Sequence, residues 1–285
     1  MTTQTRPVAV AFGAATDPGR RRTINEDSHL AEGPLFLVAD GMGGHNSGEI
    51  ASAAVVAEFS QLAGRPSLTI DDVHATFRRA RHRVESLPAG GGAGAGTTLT
   101  GVVIADVEGA GYWLALNLGD SRTYRLSGGE LEQISVDHSV VQELVDSGEL
   151  AAAAAATDSR RNVITRAIGA GSASEPDYWL LPAEVGDRML VCSDGLPGEL
   201  AASEIRAILT TEPDPQVAAD RLVAAAVERG GRDNVTVIVV DALRVGARAK
   251  IADLEDTRPS HSAPGAEVDV VEGDTLPRTA ARGAI

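Results

Sequence analysis

Short aliphatic runs that stop on an acidic residue constrain this chain more than any other feature. Leu35-Phe36-Leu37-Val38-Ala39 ends at Asp40-Gly41, residues 112–118 lead to Gly119-Asp120, and residues 188–192 lead to Ser193-Asp194-Gly195. A fourth acid, Asp233, stands just before the apolar run 235–240. Short apolar runs bounded by turn residues read as buried strands. Acids at strand ends, three of them beside glycine, suit a site built on a rigid scaffold. Glycine there lets the backbone approach closely, so that a carbonyl can join the carboxylates as a ligand.

The remaining pattern places helices around these strands. Further strands are expected over 8–12, 98–105, 123–126 and 131–134, the last two joined by the hairpin signal Ser127-Gly128-Gly129-Glu130. Helical spacing runs over 48–64, with Ile50, Ala54 and Ala57 on one face. It returns over 71–87, where Val73, Phe77, Ala80 and Val84 oppose Arg78, Arg79, Arg81 and Arg83. Shorter helices are expected over 139–148, 203–211 and 215–229, and residues 90–96 read as a glycine-alanine linker. Strands outnumber helices and do not strictly alternate with them, which favours an α+β fold with helices covering a strand-rich core. The expected domain spans 1–243; residues 244–285 lose periodicity and read as an acidic, disordered tail.

The formal net charge of −15 argues against nucleic-acid binding, which needs Lys and Arg to neutralise phosphates, and against a basic membrane-surface patch. An anionic substrate would need bound cations for local positive charge. Carboxylates and carbonyls suit hard cations such as Mg2+ and Mn2+. A zinc site is disfavoured, because Cys192 is the one cysteine and the six histidines are scattered. A single cysteine also excludes an internal disulfide. Residues 1–7 lack an apolar signal core, and no stretch approaches the roughly 20 apolar residues of a membrane span. A cytoplasmic protein is therefore expected.

Seven segments extend this reading. They are, in chain order, Arg22-Thr23-Ile24-Asn25-Glu26-Asp27, Val38-Ala39-Asp40-Gly41-Met42-Gly43-Gly44, Gly96-Thr97-Thr98, Asn117-Leu118-Gly119-Asp120-Ser121-Arg122, Asp137-His138-Ser139, Cys192-Ser193-Asp194-Gly195-Leu196 and Gly231-Arg232-Asp233-Asn234-Val235-Thr236. Each is weak alone, but the ordered set resembles the metal-dependent protein phosphatases of the 2C type in their bacterial form, over roughly residues 8 to 242. The resemblance implies a four-layer αββα sandwich with two central antiparallel β-sheets flanked by helices. It implies hydrolysis of phosphoserine and phosphothreonine in proteins by a water activated at a Mn2+ or Mg2+ pair, with a third, weaker ion of the kind bacterial members hold. By the same resemblance Asp40 bridges the pair, the Gly41 carbonyl binds one ion, and Asp194 and Asp233 are the other direct ligands. Asp120 holds a third ion with Asp194, Glu26 and Asp27 act from the outer shell, and Arg22 grips the phosphate. Asn234, His138 and Arg122 are read as structural, Thr97 and Thr98 as core strand residues, and Cys192 as an inert buried thiol.

The chain departs from the family pattern between about 137 and 165, the flap beside the active site, where Leu150 is followed by alanine from 151 to 156. Met42 stands where many eukaryotic members have a histidine, which leaves the proton donor open; His45 lies nearby. The expected partners are phosphorylated proteins, Ser/Thr kinases and their substrates, and the expected state is a monomer. The rival readings are a pseudophosphatase that binds without turnover, and a phosphatase of an anti-sigma antagonist. The complete set of acids argues against the first, and the absence of sensory domains against the second.

Overall fold

The period of two in the aliphatic runs decides the architecture, because each run is apolar on both faces. In the computed structural model, which describes residues 6–43, 47–87, 95–155, 158–169, 171 and 174–246, the strands are β1 (Val8–Asp17), β2 (Asp27–Glu32), β3 (Leu35–Met42), β4 (Gly96–Thr97), β5 (Leu99–Val107), β6 (Ala110–Leu118), β7 (Arg122–Ser127), β8 (Glu130–Gln133), β9 (Ile168–Gly169), β10 (Asp177–Pro182), β11 (Arg188–Cys192) and β12 (Val235–Val245). The helices are α1 (Ser47–Ser60), α2 (Ile70–Glu85), α3 (Val140–Asp146), α4 (Ala152–Ala155), α5 (Gly195–Glu199), α6 (Ala202–Thr211) and α7 (Pro215–Arg229). One sheet runs β1-β12-β11-β7-β8, and the other β10-β6-β5-β3-β4-β9 with β2 also paired to β3. The ladders are antiparallel, as in β3–β5 and β11–β12.

Alternate side chains of one strand enter different layers. Phe36 and Val38 of β3 meet Ile238 and Val240 of β12 between the sheets, with Trp113 and Met189 beside them. Leu35 and Leu37 point the other way, onto Val55 and Phe59 of α1 and Phe77 of α2. Val237 and Val239 face Leu196, Ile205 and Leu222 of α5, α6 and α7. Helices, sheet, sheet, helices is therefore the layer order, and the expected αββα sandwich is present.

Local signals set the helix ends. Thr69 caps α2: its Oγ1 accepts from Asp72 N at 3.1 Å, while Asp72 Oδ2 accepts from Thr69 N at 3.0 Å. Asp214 Oδ1 accepts from Gln216 N and Val217 N at the start of α7, with Pro215 as the first helical residue. The alanine run forms the one-turn helix α4. The strands β2 and β10 have no counterpart in the sequence reading, and β1 and β12 run several residues past their expected ends. The tail from 247 onward and His45 lie outside the described residues. No described helix is long and apolar enough to cross a membrane.

The edge strand β1 is covered by α7. Gln216 clamps it by accepting from Ala14 N at 3.1 Å and donating to Ala14 O at 2.9 Å. A Cβ on Gly13 would sit 2.2 Å from the Gln216 Cα, so strand and helix are in backbone contact. Gly13→Ala is expected to cost about 1–3 kcal/mol by overpacking, or roughly 2–4 °C of melting temperature per kcal/mol for a domain of this size. A thermal melt unchanged from the parent would refute that contact.

Candidate metal centre

Both sheets deliver acids to one end of the sandwich. Asp40 lies near the end of β3, after the fully buried stretch Leu35–Ala39. Its backbone is pinned three times: Asp40 N donates to Thr98 Oγ1 at 3.0 Å, and Asp40 O accepts from Thr98 N and Thr97 Oγ1, each at 2.9 Å. Thr97, in β4, is a buried strand residue as expected, while Thr98 is buried but lies between β4 and β5, and both also position Asp40. Gly41 N donates to Glu26 O at 3.2 Å. A Cβ on Gly41 would lie 2.3 Å from the Gly48 carbonyl oxygen, so only glycine lets the start of α1 come this close.

Asp27 sits directly opposite Asp40 in the β2–β3 register. Two carboxylates facing each other across a ladder repel. Asp27 Oδ2 accepts from Ser193 Oγ at 2.8 Å and from Thr236 Oγ1 at 2.7 Å, while its Oδ1 is buried without a partner. Asp120 follows β6, and its Oδ1 is likewise buried and unpartnered. Asp194 lies between β11 and α5. Asp233, in the turn before β12, accepts from Asn234 N at 2.9 Å and from Arg22 Nη2 at 2.7 Å. Asn234 ties this turn to the Arg22 loop: its Oδ1 accepts from Glu26 N, and its Nδ2 donates to Pro18 O and Ile24 O.

This packing is electrostatically expensive. Burial, followed by Asp27, Asp194, Asp120 and Asp233, raises the Asp40 carboxyl well above the usual carboxylate range. Burial and then the charge of Asp194 push Asp120 up to about 8. Burial lifts Asp27 to about 7 against its two hydroxyl donors. Asp194 rises to about 6 through burial and then the charge of Asp233. Carboxyls crowded together in this way favour a proton or a cation among them. The nearby guanidinium groups are engaged, Arg22 with Asp233 and Arg122 with Asp137 in a two-pronged contact at 2.9 and 2.7 Å.

An all-oxygen donor set with unpartnered buried oxygens fits a hard divalent cation. Among the described residues no three His, Cys, Asp or Glu side chains close into a ready-made cation cage. The fit is therefore to an open centre whose shell is completed by carbonyl and water, the habit of Mg2+ and its analogues. A cleft of about 640 Å3 is lined by Arg22, Asp120, Asp194 and Asp233 and by Gln142, Arg161 and Asn162 of the 137–165 segment.

The structure brings Arg22, Asp27, Asp40, Gly41, Asp120, Asp194 and Asp233 together, with Glu26 lending its backbone and standing near Gly48. Ser193 and Thr236, which hold Asp27, were missed as functional residues although both lie in the quoted motifs; their partner is 166 and 209 residues away. Cys192 is buried as expected, its thiol pushed up to about 12 by burial.

These features define a class: a four-layer antiparallel sandwich with a cluster of acids, suited to a divalent cation, at the end of its two sheets. The chain belongs to the protein phosphatase 2C family, whose family model, Protein phosphatase 2C, matches residues 19–224. It is 37% identical to serine/threonine protein phosphatase PstP of Mycobacterium tuberculosis across 96% of this chain and 51% of PstP, so the chain spans about half the length of that relative. It is 34% identical to serine/threonine phosphatase stp of Listeria monocytogenes, covering 79% of this chain and 93% of stp. The catalytic domain of PstP solved in complex with two manganese ions superposes with a TM-score of 0.73 at 36% identity, over 82% of this chain and 99% of that domain.

Proposed function

We propose that this chain dephosphorylates phosphoserine and phosphothreonine in proteins, using Mn2+ or Mg2+ held by Asp40, Asp194, Asp233 and the Gly41 carbonyl. The observation that carries the reading is the pair of buried carboxylate oxygens, Asp27 Oδ1 and Asp120 Oδ1, that have no hydrogen-bond partner in a cluster where Asp27, Asp120, Asp194 and Asp233 all raise the Asp40 carboxyl. A bound cation pair would activate a water for in-line attack and offset charge on the phosphoryl oxygens. Asp120 with Asp194 would hold a third, weaker ion, while Glu26 and Asp27 act behind the ligands. Arg22 engages Asp233 through Nη2 alone, and its remaining donors can take two phosphate oxygens. Phosphorylated proteins, including Ser/Thr kinases and their substrates, are the proposed partners of a monomeric enzyme.

The test is hydrolysis of p-nitrophenyl phosphate and of a phosphothreonine peptide with Mn2+, repeated in EDTA. Turnover that survives chelation would sink the proposal. Arg22→Ala is expected to lower kcat/KM on the peptide about 10–100-fold, the worth of a charge-assisted two-pronged contact. Arg22→Lys should fall between, because it keeps the charge and loses the fork. A variant as fast as the parent would remove Arg22 from the site.

A further inference from the structure

The turn that carries Asp120 is held by a side chain to which the proposed chemistry assigns no role. His138, in the segment leading to α3, is 5% exposed. Its backbone N donates to Gly119 O at 2.8 Å, and its carbonyl accepts from Thr165 N at 2.8 Å. Its ring is held on both sides, with Gly119 N 3.2 Å from Nδ1 and Asp177 Oδ2 2.9 Å from Nε2. A backbone N–H can only donate, so Nδ1 accepts and the ring proton sits on Nε2, facing Asp177. Arg166 Nη1 lies 3.4 Å from Asp177 Oδ1 and 3.4 Å from His138 Nε2, longer than the 2.9 Å between Nε2 and Asp177 Oδ2.

Gly119 cannot be held by a side chain of its own. Its φ is +113°, and a Cβ there would lie 2.5 Å from Thr98 Cγ2. Its carbonyl has two donors, His138 N and Asn117 Nδ2. Its N–H faces the His138 ring. The next residue is Asp120, whose Oδ1 is buried and without a hydrogen-bond partner. On the far side, His138 sits where the 137–165 segment leaves and returns: Thr165 N bonds its carbonyl, Val140 N donates to Val163 O, and Ser139 bridges Ile164.

We propose that His138 is a positioning residue for the cation at Asp120: its Nδ1 bond to Gly119 N–H aims the Asp120 carboxyl, and its backbone joins that turn to the root of the 137–165 segment. This rests on the reading of Asp120 as a ligand given above. The two ring nitrogens can be separated by substitution. Asparagine places an acceptor near the Nδ1 position and cannot reach Asp177; glutamine places a donor near the Nε2 position and leaves Gly119 N–H without its acceptor.

The experiment is isothermal titration of the full chain with Mn2+, resolving the binding classes, for the parent, His138→Gln, His138→Asn and Asp120→Asn, with circular dichroism to verify the fold of each. Asp120→Asn should abolish the weakest class. His138→Gln should weaken that class about 10-fold or more, the scale on which outer-shell partners act, and leave the tighter classes within about twofold. His138→Asn should keep the weakest class within about threefold of the parent. If Asp120→Asn loses the class and His138→Gln keeps it, the inference falls alone. Equal weakening of every class by both His138 variants would mean a merely structural histidine and also overturn it. If Asp120→Asn retains the class, the ligand reading and the inference fall together.

Discussion

Asp194→Asn is expected to lower kcat on p-nitrophenyl phosphate in saturating Mn2+ by at least about 10²-fold, beyond the roughly 10–100-fold that loss of an outer-shell partner costs. The substitution keeps the shape and removes a charge that bears on Asp40 and Asp120 and that Asp233 bears on in turn. The same change should stabilise the metal-free protein at neutral pH, because it deletes one of several buried like charges. Loss of activity with a higher melting temperature in EDTA is the joint signature. Full activity would take Asp194 out of the centre, and a lower melting temperature would show that its charge is not in conflict with its neighbours.

Metal removal should also make stability fall as pH rises. Below about pH 3 these carboxyls are protonated whether the chain is folded or not. Above that the unfolded chain releases its protons, while the folded chain keeps them until about pH 6 at Asp194, 7 at Asp27 and 8 at Asp120. The folded state therefore binds more protons across this window, and stability declines with rising pH. Each tenfold difference in proton affinity is worth about 1.4 kcal/mol. Melting temperature in EDTA should drop between about pH 5 and 8, and Mn2+ should flatten that slope. Saturation to about 100 times the dissociation constant adds roughly 2.7 kcal/mol. A melting temperature in EDTA that is flat or rising over that range would contradict the electrostatic conflict described for the acids.

The layered core was legible because burial on both faces leaves a local trace. The run Leu35-Phe36-Leu37-Val38-Ala39 and the run 235–240 needed no partner to be recognised as strands, and the α2 and α7 caps are written in adjacent residues. The strands β2 and β10 left no such trace. Residues of β2 are half-buried and mixed in character, and β10 is a sheet edge with Leu180 exposed and Pro182 at its end. Edge pairing is decided by a neighbouring strand, not by the period of the strand itself.

The site divides along the same line. From the chain alone came the identities of the acids, their place at strand ends, the hard-cation chemistry that carboxylates imply, and, through the ordered motifs, the family. Tertiary structure alone decided which oxygens are crowded and which are idle. The register that sets Asp27 opposite Asp40, the reach of Ser193 and Thr236 to Asp27, and the grip of His138 on the Gly119 turn all join residues remote in sequence. Coulomb repulsion and hydrogen bonding act through space over a few ångströms, whereas sequence pattern records only the local period and the local turn.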